Sequence, residues 1–135
     1  MKDAADYLAY IKALIVAHPL VVRCAIQREE AQGNEGLLRL RLTLRDGGLL
    51  DLFERFRIAE GCLQISKYRF HWQDVTGQLR QRWDNAAHYQ AVSTYPHHVH
   101  VGSEVNVAPH EAVSVADVLA IVLAPTNDLG QSAPK

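Results

Sequence analysis

The sequence predicts an α+β fold: an antiparallel β-meander of five to six strands with an N-terminal and a C-terminal helix packed on one face. Two observations predict this class. Short alternating or β-branched segments are separated by turn signals along the middle of the chain, and helical apolar periodicity occupies its two ends. In a chain of 135 residues we expect a single α+β domain over residues 1–125 and a disordered polar tail over residues 126–135.

The first helix is predicted to begin after Asp3, whose carboxylate can cap free backbone N–H groups. Its apolar positions follow the helical period: Tyr7, Leu8, Ile11, Leu14 and Ile15. The helix should end at His18-Pro19, because the residue before a proline is pushed out of the helical region. Residues 20–27 are rich in β-branched side chains and predict a strand, and the segment AQGNEG, residues 31–36, predicts a turn.

Leu37–Arg45 alternates leucine with arginine or threonine, the pattern of an antiparallel strand with one buried face. Asp46–Gly48 predicts a hairpin turn. The following strand, residues 49–58, places its apolar residues on one face, and Glu54 falls on that same face. An unpaired buried charge is costly, so this carboxylate needs a partner or a function.

Cys62–Gln73 predicts a strand whose apolar alternation changes phase, which a β-bulge near Ser66-Lys67 would explain. After a turn at Asp74–Gly77, Gln78–Asn85 is predicted to return as the next strand. The segment HHVHVG, residues 97–102, predicts a short final strand.

The last predicted element is a C-terminal helix. Ser114 and Asp117 can form a capping box, and Val113 can pack against Val118 across the helix start. Pro125 is predicted to mark the end of this helix.

Composition and charge narrow the function classes. No apolar run approaches the ~20 residues that a membrane span requires. A net charge of −1 and a pI near 6.6 argue against general nucleic-acid affinity. Residues 37–82 nevertheless carry nine basic and five acidic residues; we interpret the arginines as the solvated face of a sheet, with a local anion-binding face as the alternative. Cys24 and Cys62 lie far apart in apolar segments, so we expect reduced core thiols and a cytoplasmic protein.

Three histidines lie within residues 97–100. On a strand, His98 and His100 share one face, while Val99 and Val101 point to the core. Two imidazoles spaced in this way can bind one metal ion. They do not complete a site, and further ligands would have to come from His71, His88, His97, Asp84 or Glu54.

Similar side chains fit metal-free cleavage of RNA at the 2′-hydroxyl. Imidazole transfers protons near neutral pH, and arginine neutralises a phosphate. The available groups are Glu54, His71, Arg82, Asp84, His98 and His100. The structural alternative is a surface strand followed by local hydrogen bonds in the Arg82–Asn85 turn. Trp72, Trp83 and Tyr68 could stack on bases. For Phe70 and Trp83 we favour core packing.

The chain resembles the TumE family, the toxin components of bacterial toxin–antitoxin systems, in three segments: YRFHWQDVTGQLRQRWDNAAHY, YPHHVHVGSEV and VSVADVLAIV. The resemblance covers nearly the whole chain, and its pattern falls on His71, Trp72, Arg82, Trp83, Asp84, Asn85, His88, His97, His98, His100 and Gly102. Two positions depart from it: Tyr89 stands where the family has a histidine, and Tyr95 where it has phenylalanine. The resemblance implies growth inhibition that a partner antitoxin prevents, without naming a target or a reaction.

These observations predict a toxin that acts on RNA as a small metal-independent ribonuclease without a cofactor. His98 and His100 are the acid–base candidates, Arg82 is the phosphate ligand, and Asp84 would orient an imidazole; His71 and Glu54 complete the catalytic candidates. Substrate contacts are expected from Trp72, Tyr68, Asn85, His88, His97, Lys67 and Arg69. If a metal binds, its expected ligands are His98, His100 and His88.

Two other functions stay open from the sequence. One is a non-catalytic nucleic-acid- or protein-binding module that uses the arginine-rich sheet face, and the other is a metal-dependent hydrolase that uses the histidine cluster. The expected partners are a cognate antitoxin, for which exposed arginines offer a docking surface, and RNA, with no membrane. An unpaired edge strand would also favour a homodimer.

Overall fold

The structure, a computed structural model, describes residues 1–124. Its elements are α1 (Ala4–Val16), β1 (Val21–Gln32), β2 (Glu35–Leu44), β3 (Leu49–Ala59), β4 (Cys62–Gln73), β5 (Leu79–Asp84), β6 (His98–Val101), β7 (Val107–Pro109) and α2 (Val115–Val122). The strands form one antiparallel sheet in the order β1-β2-β3-β4-β5-β6-β7. The α+β class is confirmed, with seven strands rather than five or six, because β7 is too short to show an alternating pattern. The predictions for residues 126–135 and for Pro125 lie outside the described residues.

Helix α1 begins where its capping residue predicts. The Asp3 carboxylate accepts a hydrogen bond from the backbone N–H of Asp6 at 2.9 Å. The helix ends at Val16, three residues before Pro19. No helix within residues 1–124 is long and apolar enough to cross a membrane.

Both helices cover one face of the sheet, which we call the inner face. The core lies between the helices and this face. The buried residues of this core include Tyr7, Leu8, Ile11, Leu38, Leu40, Leu42, Leu50, Leu52, Val115 and Val118. Phe70 and Trp83 are buried there, as predicted. The predicted capping box of Ser114 and Asp117 is present at the start of α2. Full burial of each large apolar side chain stabilises the fold by roughly 1.5–3 kcal/mol.

Turns and a bulge set the strand lengths. β1 and β2 continue through most of the segment predicted as a turn and are joined at Gly33-Asn34, where Gly33 adopts a φ of +59° that favours glycine. In the β3–β4 ladder, Arg55 pairs with Lys67 and Phe56 pairs with Ile65. Ser66 is therefore the extra residue of the predicted β-bulge.

The opposite face, here called the outer face, carries the arginines of the central strands. Arg39, Arg41, Arg55 and Arg57 are exposed, which confirms the interpretation of a solvated sheet face. Arg39 and Arg41 both contact the Asp51 carboxylate, at 3.4 and 3.1 Å. The net positive charge of this face is therefore partly neutralised at one end.

The two cysteines are not core thiols. Cys24 and Cys62 are both exposed and free. Cys24 lies on the edge strand β1, and Cys62 is the first residue of β4, directly after a turn. The prediction of burial was wrong because apolar neighbours in sequence do not show that a residue lies on an edge strand, as Cys24 does, or at the end of a central strand, as Cys62 does.

Candidate functional site

Cross-strand register on the outer face brings most of the predicted polar residues together. Asp84 pairs with Arg69 on one side and with His98 on the other. Arg82 pairs in the same way with His71 and His100. Because alternate residues of a strand share a face, these six side chains form two adjacent rows across β4, β5 and β6.

Four of these residues form a buried group that we call the Asp84 cluster: Arg82, Asp84, His98 and His100. The Nε2 atom of His98 lies 3.0 Å from Oδ1 of Asp84, and that of His100 lies 3.6 Å from Oδ2. The Nε atom of Arg82 lies 3.6 Å from the same Oδ2. All four residues are at most 9% exposed. The sequence predicted this grouping, but it did not predict the burial.

The backbone sets the orientation of both imidazoles. His98 donates its Nδ1–H to the carbonyl of Pro96 at 2.9 Å, and His100 donates its Nδ1–H to the carbonyl of Glu104 at 2.8 Å. A carbonyl oxygen can only accept a hydrogen bond, so the proton of each ring is on Nδ1. In the neutral ring the Nε2 atom that faces Asp84 therefore carries a free lone pair.

The guanidinium of Arg82 is engaged by a residue that sequence reasoning missed. It donates from Nη1 to Oε1 of Glu104 at 2.5 Å and from Nη2 to Oε2. The hydrogen bonds and charge of Arg82 hold the pKa of the Glu104 carboxyl below its ordinary value. Glu104 lies in the short segment between β6 and β7, and no sequence pattern connected it with Arg82. The predicted phosphate ligand therefore already holds a carboxylate.

A hollow of about 500 Å³ adjoins the cluster. Lys67 and Arg69 are exposed in its lining, together with His88. Asp84, His98 and His100 also contribute to the lining. A larger groove of about 1000 Å³ lies on strands β1 to β4 around Glu30 and Arg57, but no histidine lines it. The smaller hollow is therefore the better candidate for a reaction site.

Comparison with protein families identifies the class of this chain. The family model described as "Toxin TumE" matches residues 11–128, which is most of the chain. The chain belongs to the TumE toxin family. The predicted resemblance is confirmed, and membership of a toxin family implies an antitoxin partner in general. Comparison with curated proteins and comparison with solved structures each gave no match.

In this TumE toxin, Tyr89 covers the Asp84 cluster. Its ring stands edge-on to the rings of His98 and His100, with centroid separations of 4.8 and 5.5 Å. It belongs to the segment between β5 and β6 and also lines the hollow. Tyr89 was noted in the sequence only as a departure from the TumE pattern. That departure was the one signal that could have assigned it to the site.

Two predicted catalytic residues of the TumE chain lie outside the cluster. Glu54 is fully buried on the inner face, where its carboxylate accepts hydrogen bonds from the Tyr7 hydroxyl and from the backbone N–H of Val115, the latter at 3.0 Å. It is a core residue, because the sheet separates it from Asp84. His71 lies beside Arg82 on the outer face, but its Nε2 is hydrogen-bonded to the Gln73 side chain at 3.0 Å.

The two aromatic residues predicted to stack on bases are buried in the structure. Trp72 belongs to the core and is 4% exposed, and the guanidinium carbon of Arg80 lies 4.3 Å from its ring centre. Tyr68 contributes to the lining of the hollow, but it is 3% exposed. A base cannot reach the face of either ring in this arrangement.

Two further residues predicted to contact the substrate, His97 and Asn85, instead make hydrogen bonds that hold a wall of the hollow in place. His97 stacks parallel to the Tyr68 ring and shares a hydrogen bond of 2.9 Å with the Tyr68 hydroxyl. The Asn85 side chain accepts from the backbone N–H of Tyr68 and donates to the carbonyl of Ser66, each at 3.1 Å. These bonds hold the segment after β5 against the bulge of β4, which shapes one wall of the hollow.

Proposed function

We propose that this toxin cleaves RNA at the hollow, with the Asp84 cluster as its reacting groups. The 2′-oxygen attacks the adjacent phosphorus, the bond from phosphorus to the 5′-oxygen breaks, and the products are a 2′,3′-cyclic phosphate and a 5′-hydroxyl. One proton leaves the 2′-hydroxyl and one is added to the 5′-oxygen, so no further reactant is consumed. The observation that carries the proposal is a carboxylate and two imidazoles buried together beside a hollow that Lys67 and Arg69 line.

The side chains at the hollow supply what this reaction requires. Lys67 and Arg69 are exposed cations that can bind phosphate. The Nε2 atoms of His98 and His100 can take up the 2′-proton directly, or they can hold a metal ion whose bound hydroxide does so. Arg82 holds the Asp84 carboxylate and can reach a substrate phosphate only when Glu104 moves away.

The outer face carries a row of residues next to the hollow on which an RNA strand could be bound. Phe53 is half-buried on this face and lies in register between Arg39 and Arg69. Single-stranded RNA is commonly bound by aromatic rings that stack on bases and by neighbouring cations. Phe53 therefore takes the stacking role predicted for Trp72 and Tyr68.

Cleavage of single-stranded RNA by the full-length chain tests the proposal. We expect products that end in a 2′,3′-cyclic phosphate, and no cleavage of the same sequence made with 2′-deoxynucleotides. The His98→Ala/His100→Ala variant should lose cleavage. Lys12→Gln should cleave as the wild type does, because it removes a positive charge from α1, on the inner face. Absence of any cleavage by the wild type, or full cleavage by the folded double variant, contradicts the proposal.

The exposed arginines of the outer face favour a second candidate function, in which the toxin binds RNA without cutting it. Affinity that falls steeply with salt, with no cleavage product, would support this candidate. Phe53→Ala should then weaken binding, while His98→Ala/His100→Ala should leave it unchanged. Under the nuclease proposal, the double variant still binds RNA and only the cleavage is lost.

The same face is proposed to bind the antitoxin. An acidic segment of that partner would pair with the exposed arginines and would block the path of RNA at the same time.

The edge strand β1, which exposes Val22 and Ile26, is proposed to pair with a second copy of the chain. Sedimentation of the wild type and of Ile26→Lys tests the dimer: a monomeric wild type contradicts it. Action on RNA further predicts a cytoplasmic toxin.

A further inference from the structure

The Asp84 cluster brings together three acceptors that have no donor between them. In the neutral rings both Nε2 atoms carry lone pairs, because the backbone carbonyls hold the Nδ1 protons of His98 and His100. These atoms face the Asp84 carboxylate at 3.0 and 3.6 Å. Nε2 of His98 has no hydrogen-bond partner among the described residues, although the side chain is only 2% exposed. Buried acceptors that face one another are unfavourable, so the arrangement requires a cation or a proton between them.

Arg82 does not fill this need. Both of its terminal nitrogens are bonded to Glu104. Its Nε lies 3.6 Å from Oδ2 of Asp84 and has no hydrogen-bond partner among the described residues. The guanidinium therefore compensates part of the Asp84 charge from one side. The backbone N–H of Ala86 donates to Oδ1 of Asp84 at 3.0 Å, but no donor among the described residues bonds to Nε2 of His98.

We propose that Asp84, His98 and His100 bind one divalent first-row transition-metal ion through a carboxylate oxygen and two Nε2 atoms. Their ligand atoms all lie within 4.8 Å of one another. Two ligand atoms at about 2.1 Å from an ion and at the tetrahedral angle are about 3.4 Å apart. Nε2 of His98 lies 3.0 Å from Oδ1 of Asp84 and Nε2 of His100 lies 3.6 Å from Oδ2, so each imidazole lies close to that spacing from one of the two carboxylate oxygens. Two imidazoles with one carboxylate suit Zn²⁺ or Mn²⁺ better than Ca²⁺, which prefers oxygen ligands alone.

The surroundings of the cluster support metal binding as well. A histidine that binds a metal ion almost always donates its other ring N–H to a carbonyl, carboxylate or water, and both His98 and His100 do so here. The Tyr89 ring covers the two imidazoles, which limits the access of water. Asp84 takes the third ligand position that the sequence analysis assigned to His88, which lines the same hollow but is exposed.

This inference deepens the proposed function, and metal binding can be measured without RNA. An ion at the cluster lies beside the hollow, so a phosphate oxygen or a water molecule can occupy its remaining coordination positions. The ion would neutralise charge on the phosphate and would make a bound water acidic enough to supply hydroxide. The imidazoles would then act as ligands, and the proton acceptor would be the hydroxide.

Calorimetric titration of the full-length, metal-free chain with ZnCl₂ and with MnCl₂ tests the inference. We expect one ion per chain for at least one of the two metals. Asp84→Asn, His98→Gln and His100→Gln should each weaken binding by more than the about 10- to 100-fold typical of residues that only support a ligand. His88→Gln is the matched control, since it removes an imidazole from the same hollow, and it should bind as the wild type does.

A visible absorption spectrum of the Co²⁺-loaded wild type adds a second test. It uses the wild type alone, so its result does not depend on whether any variant folds. Bands of a low-symmetry site with nitrogen ligands support the inference. Failure of the wild type to bind either metal, or equal losses in His88→Gln and His98→Gln, overturns it. Cleavage of RNA by protein that binds no metal overturns the inference and leaves the proposed function standing. Metal binding without any RNA cleavage supports the inference and overturns the proposed function.

Discussion

The sheet buries two carboxylates, one on each face, and surrounds them with opposite chemistry. Glu54 on the inner face is met by two donors, the Tyr7 hydroxyl and the Val115 N–H, and so ties α1 and α2 to β3. Asp84 on the outer face accepts one hydrogen bond, from the backbone N–H of Ala86, and beside an open hollow it also faces the Nε2 atoms of two imidazoles, which carry lone pairs in the neutral rings. Burial alone therefore does not identify a functional carboxylate. The groups that face a buried carboxylate identify its role. Donors complete its hydrogen bonds, as they do at Glu54, whereas facing acceptors leave room for a cation, as they do at Asp84.

The largest expected effect is on RNA cleavage, which should depend on the Asp84 carboxylate and not on the Glu54 carboxylate. Asp84→Asn keeps the size of the side chain but removes the charge, and it should lower RNA cleavage by about 10²- to 10⁴-fold. Glu54→Gln makes the same change on the inner face and should leave cleavage within about 2-fold of the wild type, since Gln can still accept from Val115 and donate to Tyr7. Initial rates on one RNA substrate measure both. A loss of cleavage in Glu54→Gln without loss of fold would contradict the separation.

The second prediction concerns the pH dependence of stability. Burial raises the pKa of Glu54 to about 7 from an ordinary 4.5, so the folded state favours the protonated form. Its stabilising contribution is complete below pH 4.5 and is lost as the pH rises through 7, a change of about 3 kcal/mol in the free energy of unfolding. Urea unfolding at several pH values should show this loss in the wild type and not in Glu54→Gln.

Glu35→Gln is the control for that experiment, because Glu35 is exposed at the start of β2. It should keep the wild-type pH dependence. If Glu54→Gln and the wild type lose the same stability between pH 4.5 and 7, the buried Glu54 carboxyl is not the group responsible.

The third prediction concerns the donors around Glu54. Tyr7→Phe removes one of the two donors, so at pH 8 it should lower the free energy of unfolding by about 1–3 kcal/mol. The loss should be smaller in a Glu54→Gln background, where no charge is left uncompensated. A double-mutant cycle at pH 8 measures this coupling, and independent, additive effects would refute it.

The smallest expected effect lies on the outer face, at Glu104. Glu104→Gln removes the charge that engages Arg82 and should raise RNA affinity by no more than about 5-fold, because the Glu104 side chain is 62% exposed and exposed ion pairs contribute about 1 kcal/mol or less. Fluorescence anisotropy with labelled RNA measures the change. Glu111→Gln should have no such effect, because Glu111 is an exposed carboxylate that makes no ion pair with Arg82 in the described structure. Weaker RNA binding in Glu104→Gln would show that Glu104 does not compete with the substrate.

Local patterns in the sequence determined most of the fold. The alternation in Leu37–Arg45, the caps at Asp3 and Ser114 and the phase change at Ser66 each depend on residues a few positions apart, and each is present in the structure. The motif around His98 and His100 was also sufficient to indicate the TumE family. These features were readable because strand and helix periods and capping chemistry act within one segment.

Only the tertiary structure decided which polar groups meet. The sequence placed Glu54 on the buried apolar face but could not show that the hydroxyl of Tyr7, 47 residues away in the chain, donates to its carboxylate. It could not show that Glu104 engages Arg82 or that Tyr89 covers the imidazoles, because both contacts depend on how segments between strands fold over the sheet. The packing of α1 and α2 against the sheet set the donors around Glu54, and the pairing of β5 with β6 brought the imidazoles to Asp84. Those neighbours decide whether each carboxylate serves the core or a site.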